Sequence, residues 1–328
     1  MVKCLVMFSG GLDSTIAVHL LKSKGFDVLA LHFVLPFYSE VGQSHDGIKK
    51  KAEKLGVPVR VIEEGEEYLA MFKDPHFGFG KNINPCIDCR IHRLKQAACI
   101  MQEEGFAFIA TGEVVGQRPM SQHKEALNAI EKRAGLRGYL LRPLSAGLLA
   151  PTIPEEQGTV DRSALFSWWG RGRKPQFAYA HEHGLDIASP AGGCLLTHEG
   201  TALRYAELQK NNPNFSLSDF KLIAFGRHFR FASGARLVVA RIDEENVALE
   251  KLLGPDDYFL MMTDVLGPLG LLRGEIAPGE IEKACAIVAR YSKARMQPQV
   301  NISVVRRQTA SIFNVPPATD AECSACRI

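Results

Sequence analysis

The sequence predicts a doubly wound parallel α/β domain followed by a smaller α+β domain. Two observations predict the first domain: short apolar segments alternate with longer helix-like segments, and a glycine-rich turn follows the first apolar segment. The second domain is predicted from a change near residue 203, beyond which strand candidates predominate. A chain of 328 residues suits about two domains, and we expect them to span 1–203 and 204–328.

Strand and helix are expected to alternate in order along the first domain. Its predicted strands are VKCLVMF, VLALHF, VPVRVIE, FAFIAT and GYLLRPL. Helices are predicted up to about Lys24, near 46–55 and over 87–104. Ligands of such sheets bind at the carboxyl ends of the strands, where 9–14, 31–33 and 111–117 are expected.

The middle of the chain and the second domain carry weaker patterns. Residues 144–158 are predicted to form a loop, and SALFSWWGRGRKPQFAYAHEHG two short helices around a basic turn. After the helix-like ALRYAELQK, strands are predicted in FKLIAFGRHFRF, ARLVVARIDEEN, YFLMMTDV and NISVVRR. Helices are predicted at about 244–253 and 279–291, and the tail after Pro316 is expected to be loosely ordered.

The composition is that of a globular protein, with 46% hydrophobic and 23% charged residues and no apolar run as long as a membrane span. The N-terminus enters the first predicted strand directly, so we expect no signal peptide and a cytoplasmic location. A net charge of +3 does not by itself indicate nucleic-acid binding, so any RNA contact must come from local basic patches. Eight cysteines in such a chain favour metal, redox or buried-thiol roles over structural disulfides.

The turn after the first strand has the features of a nucleotide-phosphate site. Gly10 and Gly11 allow a sharp bend that aims successive backbone N–H groups at one anion, next to a helix N-terminus. Ser9 and Ser14 can add hydroxyl donors. Asp13 would repel a phosphate unless Mg²⁺ or a nearby cation compensates its charge, which points to metal-assisted nucleotide chemistry. An ordinary glycine-rich β-to-α turn is the alternative.

This turn, SGGLDS, resembles the SGGxDS signature of the PP-loop ATP pyrophosphatases, and the chain has no Walker A motif. The resemblance implies an adenine-nucleotide α-hydrolase-like fold and cleavage of ATP between its α and β phosphates. The segment TGEVVGQRPMSQ is similar to one in tRNA 4-thiouridine synthetases, although Gln117 and Gln122 also suit plain loop residues. His32 is interpreted as a buried strand residue rather than a catalytic one. The resemblance implies nucleotide contacts from Ser9, Gly10, Gly11, Asp13, Ser14, Leu31, Phe33 and Gly112.

Three cysteines stand in settings that suit reactivity. Cys86 and Cys89 lie in NPCIDCR at a predicted helix start, and Cys194 lies in the glycine-rich SPAGGCLLT. A helix N-terminus lowers the pKa of a thiol and favours the thiolate, which binds metals or attacks sulfur. Zinc usually takes a fourth ligand, and the only other pair in the sequence, Cys323 and Cys326, is at the far end.

Three cysteines suit a [4Fe–4S] cluster with one open iron, or a persulfide pair, whereas buried structural thiols or a zinc site are the alternatives. The pattern resembles that of PP-loop tRNA thiolases, in which a CxxC before a helix and a distant third cysteine face the ATP site. The resemblance implies cluster ligation by Cys86, Cys89 and Cys194, and catalytic roles for Cys86, Cys194 and Asp13. The remaining cysteines in apolar segments are interpreted as core residues: Cys4, Cys99 and Cys285.

Two basic patches are candidates for RNA contact. One is the turn with Arg171, Arg173 and Lys174, for which an ordinary solvated turn is the alternative. Next to it Trp168 and Trp169 suit base stacking or, more commonly, core packing. The second patch lies in 225–246, which resembles the RNA-binding domain of NFACT-type proteins, and an ordinary hairpin is the alternative. Its arginines expected to reach phosphates are Arg227, Arg230 and Arg236.

Together the resemblances imply an ATP-dependent tRNA uridine sulfurtransferase. ATP and Mg²⁺ would bind on the glycine turn, the uridine carbonyl oxygen would be adenylated, and sulfur would then displace AMP. The implied partners are tRNA and a sulfide or persulfide donor, with a second copy of the chain as a further candidate. The alternative is a PP-loop ligase or sulfurtransferase acting on a small metabolite. An RNA-binding module without catalysis is disfavoured because the glycine turn retains its serines and Asp13.

Overall fold

The computed structural model describes residues 1–37, 45–186 and 193–328. These residues fall into two compact units. Of the described residues, the first unit contains 1–35, 45–186 and 193–194, and the second unit contains 36–37 and 195–328. The division into functional domains after residue 203 stays a prediction.

The first unit is built on a five-stranded parallel sheet in the order β3-β2-β1-β4-β5. Its strands are β1 (Lys3–Met7), β2 (Asp27–Val34), β3 (Val59–Glu63), β4 (Phe108–Thr111) and β5 (Leu140–Leu141). Its helices are α1 (Leu12–Ser23), α2 (His45–Leu55), α3 (Glu66–Lys73), α4 (Cys86–Glu104), α5 (Lys124–Arg133), α6 (Ile153–Glu156) and α7 (Lys174–Glu182).

Both faces of this sheet are covered by helices. Along β1, Cys4 and Val6 pack with residues of α1 and α2, whereas Leu5 packs with residues of α4 and α5. This alternation follows from the two-residue period of a strand, and it explains why β1 is apolar throughout. The predicted doubly wound α/β fold is confirmed.

The second unit contains a six-stranded antiparallel sheet in the order β11-β10-β8-β9-β7-β6. Its strands are β6 (Arg227–Arg230), β7 (Arg236–Val239), β8 (Tyr258–Met262), β9 (Gly270–Arg273), β10 (Val300–Arg306) and β11 (Thr309–Val315). Its helices are α8 (Glu199–Asn211), α9 (Leu217–Leu222), α10 (Asp243–Lys251), α11 (Glu280–Arg290) and α12 (Asp320–Cys326). The predicted α+β architecture is confirmed.

Two predictions for the second unit were wrong. FKLIAF is not part of a strand: Ser216 and Asp219 form a capping box that starts α9 there. The tail after Pro316 is ordered, because Thr319 caps α12 and Cys323 is buried in the core. The backbone N–H of Ile328 donates to the carbonyl oxygen of His228 at 2.9 Å, which joins the chain end to β6.

The described helices include none that is both long enough and apolar enough to cross a membrane.

Candidate functional site

The turn between β1 and α1 is held in shape by its own hydroxyl groups. Gly10 has φ +72°, in the left-handed region that favours glycine, as the sharp bend requires. The hydroxyl of Ser14 donates to the carbonyl oxygen of Gly11 at 2.9 Å and lies 3.1 Å from the hydroxyl of Ser9. The first N–H groups of α1 have no acceptor within the helix, so the turn presents donors at a positive helix end. This is the arrangement that an anionic phosphate needs.

Asp13 lies at the start of α1 with two polar neighbours. Its Oδ2 accepts from Nε2 of Gln117 at 3.1 Å and lies 3.9 Å from a terminal nitrogen of Arg173. Its Oδ1 is buried and has no hydrogen-bond partner among the described residues. A cation near Asp13 was expected because the carboxylate would otherwise repel a phosphate, and Arg173 is such a cation. The orphaned oxygen also fits Mg²⁺, which in nucleotide sites takes one or two carboxylates together with phosphates and water.

Gly112 follows β4 and touches the backbone of the glycine turn. A Cβ at this position would lie 2.5 Å from the carbonyl carbon of Asp13 and 2.6 Å from the amide nitrogen of Ser14. Since both atoms belong to the backbone, no side-chain rotation could relieve the overlap. The resemblance implied a nucleotide contact at Gly112, and the structure shows in addition that a side chain here would collide with the turn itself.

A cavity of about 360 Å³ opens over the glycine turn, at the carboxyl ends of β1, β2 and β4. The predicted nucleotide-site residues that line it are Ser9, Gly11, Asp13, Ser14, Leu31, Phe33 and Gly112. Leu31 and Phe33 are buried, and the carbonyl oxygen of Leu31 accepts from the backbone N–H of Phe8 at 2.7 Å. His32 is also buried, and its Nδ1 lies 2.8 Å from the carbonyl oxygen of Phe8. That bond joins β2 to the turn and agrees with a structural role for His32.

The three candidate cysteines line the same cavity. Cys86 is the first residue of α4 and Cys89 lies one turn further along it. Cys194 is described, but most of the glycine-rich turn before it lies outside the described residues. Burial raises the pKa of the Cys86 thiol, although the guanidiniums of Arg90 and Arg118 act in the opposite direction. The thiolate that the helix N-terminus was expected to favour is therefore not the favoured form of Cys86.

A half-buried cation that the sequence did not reveal lies beside these thiols. Arg93, one turn after Cys89 on α4, has side-chain nitrogen Nε 3.4 Å from Oε1 of the buried Glu64. Burial lowers the pKa of Arg93, but the charges of Cys89, Tyr68, Glu64 and Cys194 outweigh burial and raise it. Glu64 is also bound by Nε2 of His92 at 2.8 Å. An anionic sulfur at Cys89 or Cys194 would thus face a fixed positive charge.

A second buried network supports the loop that carries Gly112. Glu113 is held by Arg90 and by Nε of Arg142, the latter at 3.0 Å, and it accepts from the hydroxyl of Thr111. Burial raises the pKa of Glu113, but the positive charges of Arg90 and Arg142 lower it by more than burial raises it. The net effect is a pKa below the ordinary value. Arg142 also binds Glu131 of α5 at 2.9 Å. This network connects α4, α5 and the segments after β4 and β5 beneath the cavity.

The basic turn reaches the cavity through one of its predicted residues. Arg173 lines the cavity, whereas Arg171 and Lys174 are exposed to solvent. Trp168 and Trp169 are not helical as predicted, since α7 begins only at Lys174. Trp168 stacks on Phe166 with ring centroids 4.2 Å apart, and Trp169 is 72% exposed.

The arginines predicted to contact RNA in the second unit already have partners within the protein. Arg227 lies over the ring of Tyr291 at 4.5 Å, and Arg230 binds both carboxylate oxygens of Glu207. Arg236 is 5% exposed, its Nε donates to Nδ1 of His228 at 3.1 Å, and burial lowers its pKa to about 10. A phosphate contact from Arg236 stays a prediction that would need the surrounding side chains to move.

The remaining cysteines are placed mostly as expected. Cys4 and Cys285 are buried, and burial raises the pKa of each thiol to about 12. Cys99 is exposed, so its interpretation as a core residue was wrong: α4 buries Ile91, Leu94, Ala98 and Met101, and Cys99 lies outside that stripe. Cys323 and Cys326 lie on α12, where Cys323 is buried in the core of the second unit and Cys326 is half-buried against it.

Comparisons with known proteins agree with this arrangement. Residues 2–153 match the model of the tRNA methyl transferase HUP domain, and residues 226–326 match that of the NFACT protein RNA binding domain. The chain is 29% identical over 139 residues to the tRNA-specific 2-thiouridylase MnmA of Nitrobacter hamburgensis, covering 38% of this chain and 34% of the relative. It is 28% identical over 153 residues to MnmA of Rhodopseudomonas palustris, covering 42% and 38%. The chain thus spans about a third of the length of the curated relatives it matches.

A solved structure described as a predicted subunit of tRNA methyltransferase from Methanocaldococcus jannaschii is 16% identical, with 67% of this chain and 92% of that one covered. Its TM-score of 0.38 is too low to support an argument. The two family models and the curated relatives confirm the resemblance predicted from the sequence. Residues 2–153 are similar to the tRNA methyl transferase HUP domain, residues 226–326 are similar to the NFACT protein RNA binding domain, and 38–42% of the chain is similar to tRNA-specific 2-thiouridylases.

Proposed function

We propose that this protein is an ATP-dependent tRNA sulfurtransferase that replaces a carbonyl oxygen of a uridine with sulfur. The observation that carries the proposal is the shared cavity: the glycine turn for phosphate and the thiols of Cys86, Cys89 and Cys194 line the same space. A phosphate site alone would suit many nucleotide enzymes, and three thiols alone would suit a redox site. Their combination suits a reaction in which ATP activates a carbon that sulfur then attacks.

In the first step the uridine carbonyl oxygen attacks the α-phosphorus of ATP, and the bond to the β-phosphate oxygen breaks to release pyrophosphate. The N–H groups of the turn and of the first turn of α1 would hold the phosphates and balance charge on the leaving group. Arg173 faces the same space, since its guanidinium lies 3.9 Å from Asp13. The protein's contribution to this step is positioning and charge stabilisation.

Asp13 is proposed to hold the Mg²⁺ that accompanies ATP. Its buried Oδ1 is without a hydrogen-bond partner among the described residues, so one oxygen is free to ligate the ion while Gln117 holds the other. When bound, Mg²⁺ would neutralise charge that develops on the departing pyrophosphate. The hydrogen bond from Gln117 restricts the rotation of this carboxylate.

In the second step, a persulfide on Cys194 attacks the activated carbon through its outer sulfur, and the carbon–oxygen bond to AMP breaks. Cys86 then gives up its thiol proton to the departing thiouridine as its sulfur attacks the inner sulfur of Cys194. This frees the thiouridine and leaves a disulfide between the two cysteines. A persulfide donor must supply the sulfur, and a thiol reductant must restore the two thiols. The half-buried guanidinium of Arg93 places a positive charge near the sulfurs of Cys89 and Cys194.

A [4Fe–4S] cluster on Cys86, Cys89 and Cys194 is the other source of sulfur predicted for this site. In the described ranges, no group of three or more histidines, cysteines or acidic residues is placed to hold a metal ion. The three thiols as placed do not form such a group, so a persulfide is the proposed source of the sulfur. Iron and sulfane-sulfur contents distinguish the two sources directly.

The second unit is proposed to bind the tRNA, with residues 204–328 as the RNA-binding domain and 1–203 as the ATP-binding and sulfur-transfer domain. The match of 226–326 to an RNA-binding domain model supports this assignment. In the first unit the exposed Arg171 and Lys174, next to Arg173 at the cavity, are proposed to contact the tRNA backbone.

The experiment measures pyrophosphate release and thiouridine formation by the full chain with ATP, Mg²⁺, tRNA and a persulfide donor. Asp13→Asn should abolish both, and Asp27→Asn, a change to an exposed aspartate at the start of β2, is the matched control. Cys194→Ser should abolish thiouridine formation but spare pyrophosphate release, and the exposed Cys99→Ser should change neither.

Release of pyrophosphate with a small metabolite in place of tRNA, without dependence on RNA, would instead favour the metabolite ligase. Stoichiometric iron with inorganic sulfide in oxygen-free preparations, lost in Cys89→Ser, would replace the persulfide by a cluster. Unchanged activity in both Asp13→Asn and Cys194→Ser would overturn the proposal.

A further inference from the structure

A groove in the second unit combines aromatic and cationic side chains outside all the residues that the sequence assigned to RNA. It has a volume of about 330 Å³ and lies on β8, β10 and β11 beside the start of α11. Its apolar lining includes Val304 and Ile281, its aromatic lining is Tyr258 and Phe313, and Arg306 and Arg307 complete it. A groove of this size is at the lower end of the range for small-ligand sites.

The strand register explains why these side chains share one face. Val304 on β10 pairs with Leu260 on β8, and Tyr258 lies two residues before Leu260. Phe313 on β11 pairs with Ile302, which is two residues from Val304. Side chains alternate between the two faces along one strand, and paired residues on neighbouring strands share a face. The rings of Tyr258 and Phe313 therefore lie on the same face of the sheet, one on each side of β10.

The cationic part of the groove has one positive charge in excess. The guanidinium of Arg306 lies over the Tyr258 ring at 4.7 Å and donates to its hydroxyl at 3.0 Å. Arg307 binds the carboxylate of Asp256 at 2.6 Å, and Arg306 lies 3.8 Å from the same carboxylate. Two arginines therefore share one exposed carboxylate, and the groove presents a net attraction to anions.

The backbone at Arg307 adds an independent observation. Its φ is +55°, and within the described part of the chain only Asn82 shares this left-handed conformation among residues other than glycine. Glycine or asparagine would take such a turn position at lower cost. The hairpin between β10 and β11 thus carries a long cationic side chain, 69% exposed, where the backbone favours a small residue.

We propose that this groove binds one unpaired nucleotide of RNA. The base stacks against the plane of the Arg306 guanidinium on Tyr258 and against Phe313, and the phosphate lies on Arg307. Aromatic rings with arginine are the usual means of binding single-stranded RNA, because every base has a stacking face. The inference rests on the proposed role of the second unit in tRNA binding and names a subsite within it.

The test titrates fluorescein-labelled oligouridine and a blunt RNA duplex of equal length with the full chain. Phe313→Leu keeps an apolar side chain but removes the ring, and should weaken oligouridine binding by roughly 5- to 150-fold, the effect of losing one stacked base. Phe313→Tyr should restore it. Arg307→Gly removes one positive charge and replaces arginine by a residue that adopts the left-handed conformation easily. The logarithm of the affinity should then depend less steeply on the logarithm of the salt concentration, by about 0.7 in the magnitude of the slope. Arg295→Gln, at another exposed arginine, is the matched control.

Equal oligouridine affinity in wild type, Phe313→Leu and Arg307→Gly would overturn the groove assignment. If oligouridine binding then depended instead on Arg171 and Lys174, tRNA binding would stand and only the groove would fail. If the wild-type chain bound neither oligouridine nor tRNA, the proposed role of the second unit would fail with it. Binding of an acidic peptide that depends on Arg307, with no effect of Phe313→Leu on RNA, would show a protein-binding groove and also overturn the proposal.

Discussion

The contact between Gly112 and the glycine turn yields the most specific prediction, for the substitution Gly112→Ala. The added Cβ would lie 2.5 Å from the carbonyl carbon of Asp13, 2.6 Å from its oxygen and 2.6 Å from the amide nitrogen of Ser14. Non-bonded carbon atoms pack at about 3.5–4.0 Å, so the overlap is about 1 Å against three backbone atoms. The segment after β4 and the turn after β1 must move apart by roughly that distance.

Such overpacking typically costs about 1–3 kcal/mol of folding free energy. A displacement of about 1 Å in a positioned site costs on the order of 100-fold in rate. We therefore expect Gly112→Ala to lower the urea midpoint without changing the m-value, and to slow tRNA-dependent pyrophosphate release about 100-fold.

The matched control is Gly47→Ala on α2, where no heavy atom lies within 4 Å of the added Cβ. It should leave the rate unchanged and raise stability by about 0.5–1 kcal/mol, since alanine is favoured over glycine in a helix. If Gly112→Ala retained wild-type stability and wild-type pyrophosphate release, the assignment of Gly112 as a support for the phosphate turn would be refuted.

Two further predictions concern buried titratable side chains. His228 is buried, and its pKa lies well below the ordinary value, first because of burial and then because of the positive charge of Arg236. As the pH falls below about 6.5, the unfolded chain binds a proton at this histidine and the folded chain does not. The free energy of unfolding is therefore full above that pH and decreases below it, by at most about 1.4 kcal/mol per pH unit. Urea titrations from pH 7.5 to 5.5 measure this loss, and His228→Gln should flatten the pH dependence; an equally steep loss in the variant would contradict the assignment. Glu113→Gln should destabilise the chain by about 1–3 kcal/mol, because the half-buried Arg90 and the buried Arg142 lose the carboxylate that they share, although Arg142 keeps its ion pair with Glu131. The exposed Glu125→Gln is its control, and equal urea midpoints for the two variants would show that the Glu113 network contributes little.

The sequence allowed prediction of features that depend on neighbouring residues. The alternation of β1, α1, β2 and α2 follows from apolar periodicity, and the bend at Gly10 follows from the glycine pair itself. The placement of Cys86 and Cys89 at the start of α4 likewise follows from the local pattern before that helix.

The charged supports of the site could not be predicted in this way. Arg93 and Glu64 are far apart in the sequence, and Arg142 reaches Glu113 from the other side of the loop after β4. Ion pairs of this kind depend on tertiary packing and leave no periodic signal. A partial signal was present for Arg90 and Arg93, which follow Cys89 at spacings that keep them near the N-terminal part of α4.

The second unit shows the same limit for its arginines. Arg230 was expected to reach an RNA phosphate, yet Glu207 of α8 binds it in the structure. The sequence pattern of β6 alone cannot reveal a helix that packs nearby. Strand β11 was missed because nearly all its side chains are exposed, so that it lacks the alternation of apolar and polar residues that identifies a half-buried strand. The groove that Phe313 forms with Arg306 and Arg307 could therefore not be predicted from the sequence.

We propose that a single cavity both activates a tRNA uridine with ATP and delivers sulfur to it. The most direct measurement incubates the protein with tRNA, ATP, Mg²⁺ and a donor labelled with heavy sulfur, digests the RNA to nucleosides and analyses them by mass spectrometry. We expect a uridine derivative in which labelled sulfur replaces one oxygen, with one AMP and one pyrophosphate formed for each sulfur incorporated. Asp13→Asn and Cys194→Ser should give none, and Cys99→Ser should match the wild type. Labelled sulfur in tRNA without ATP consumption, or ATP cleavage to pyrophosphate with no sulfur in any nucleoside, would contradict the claim.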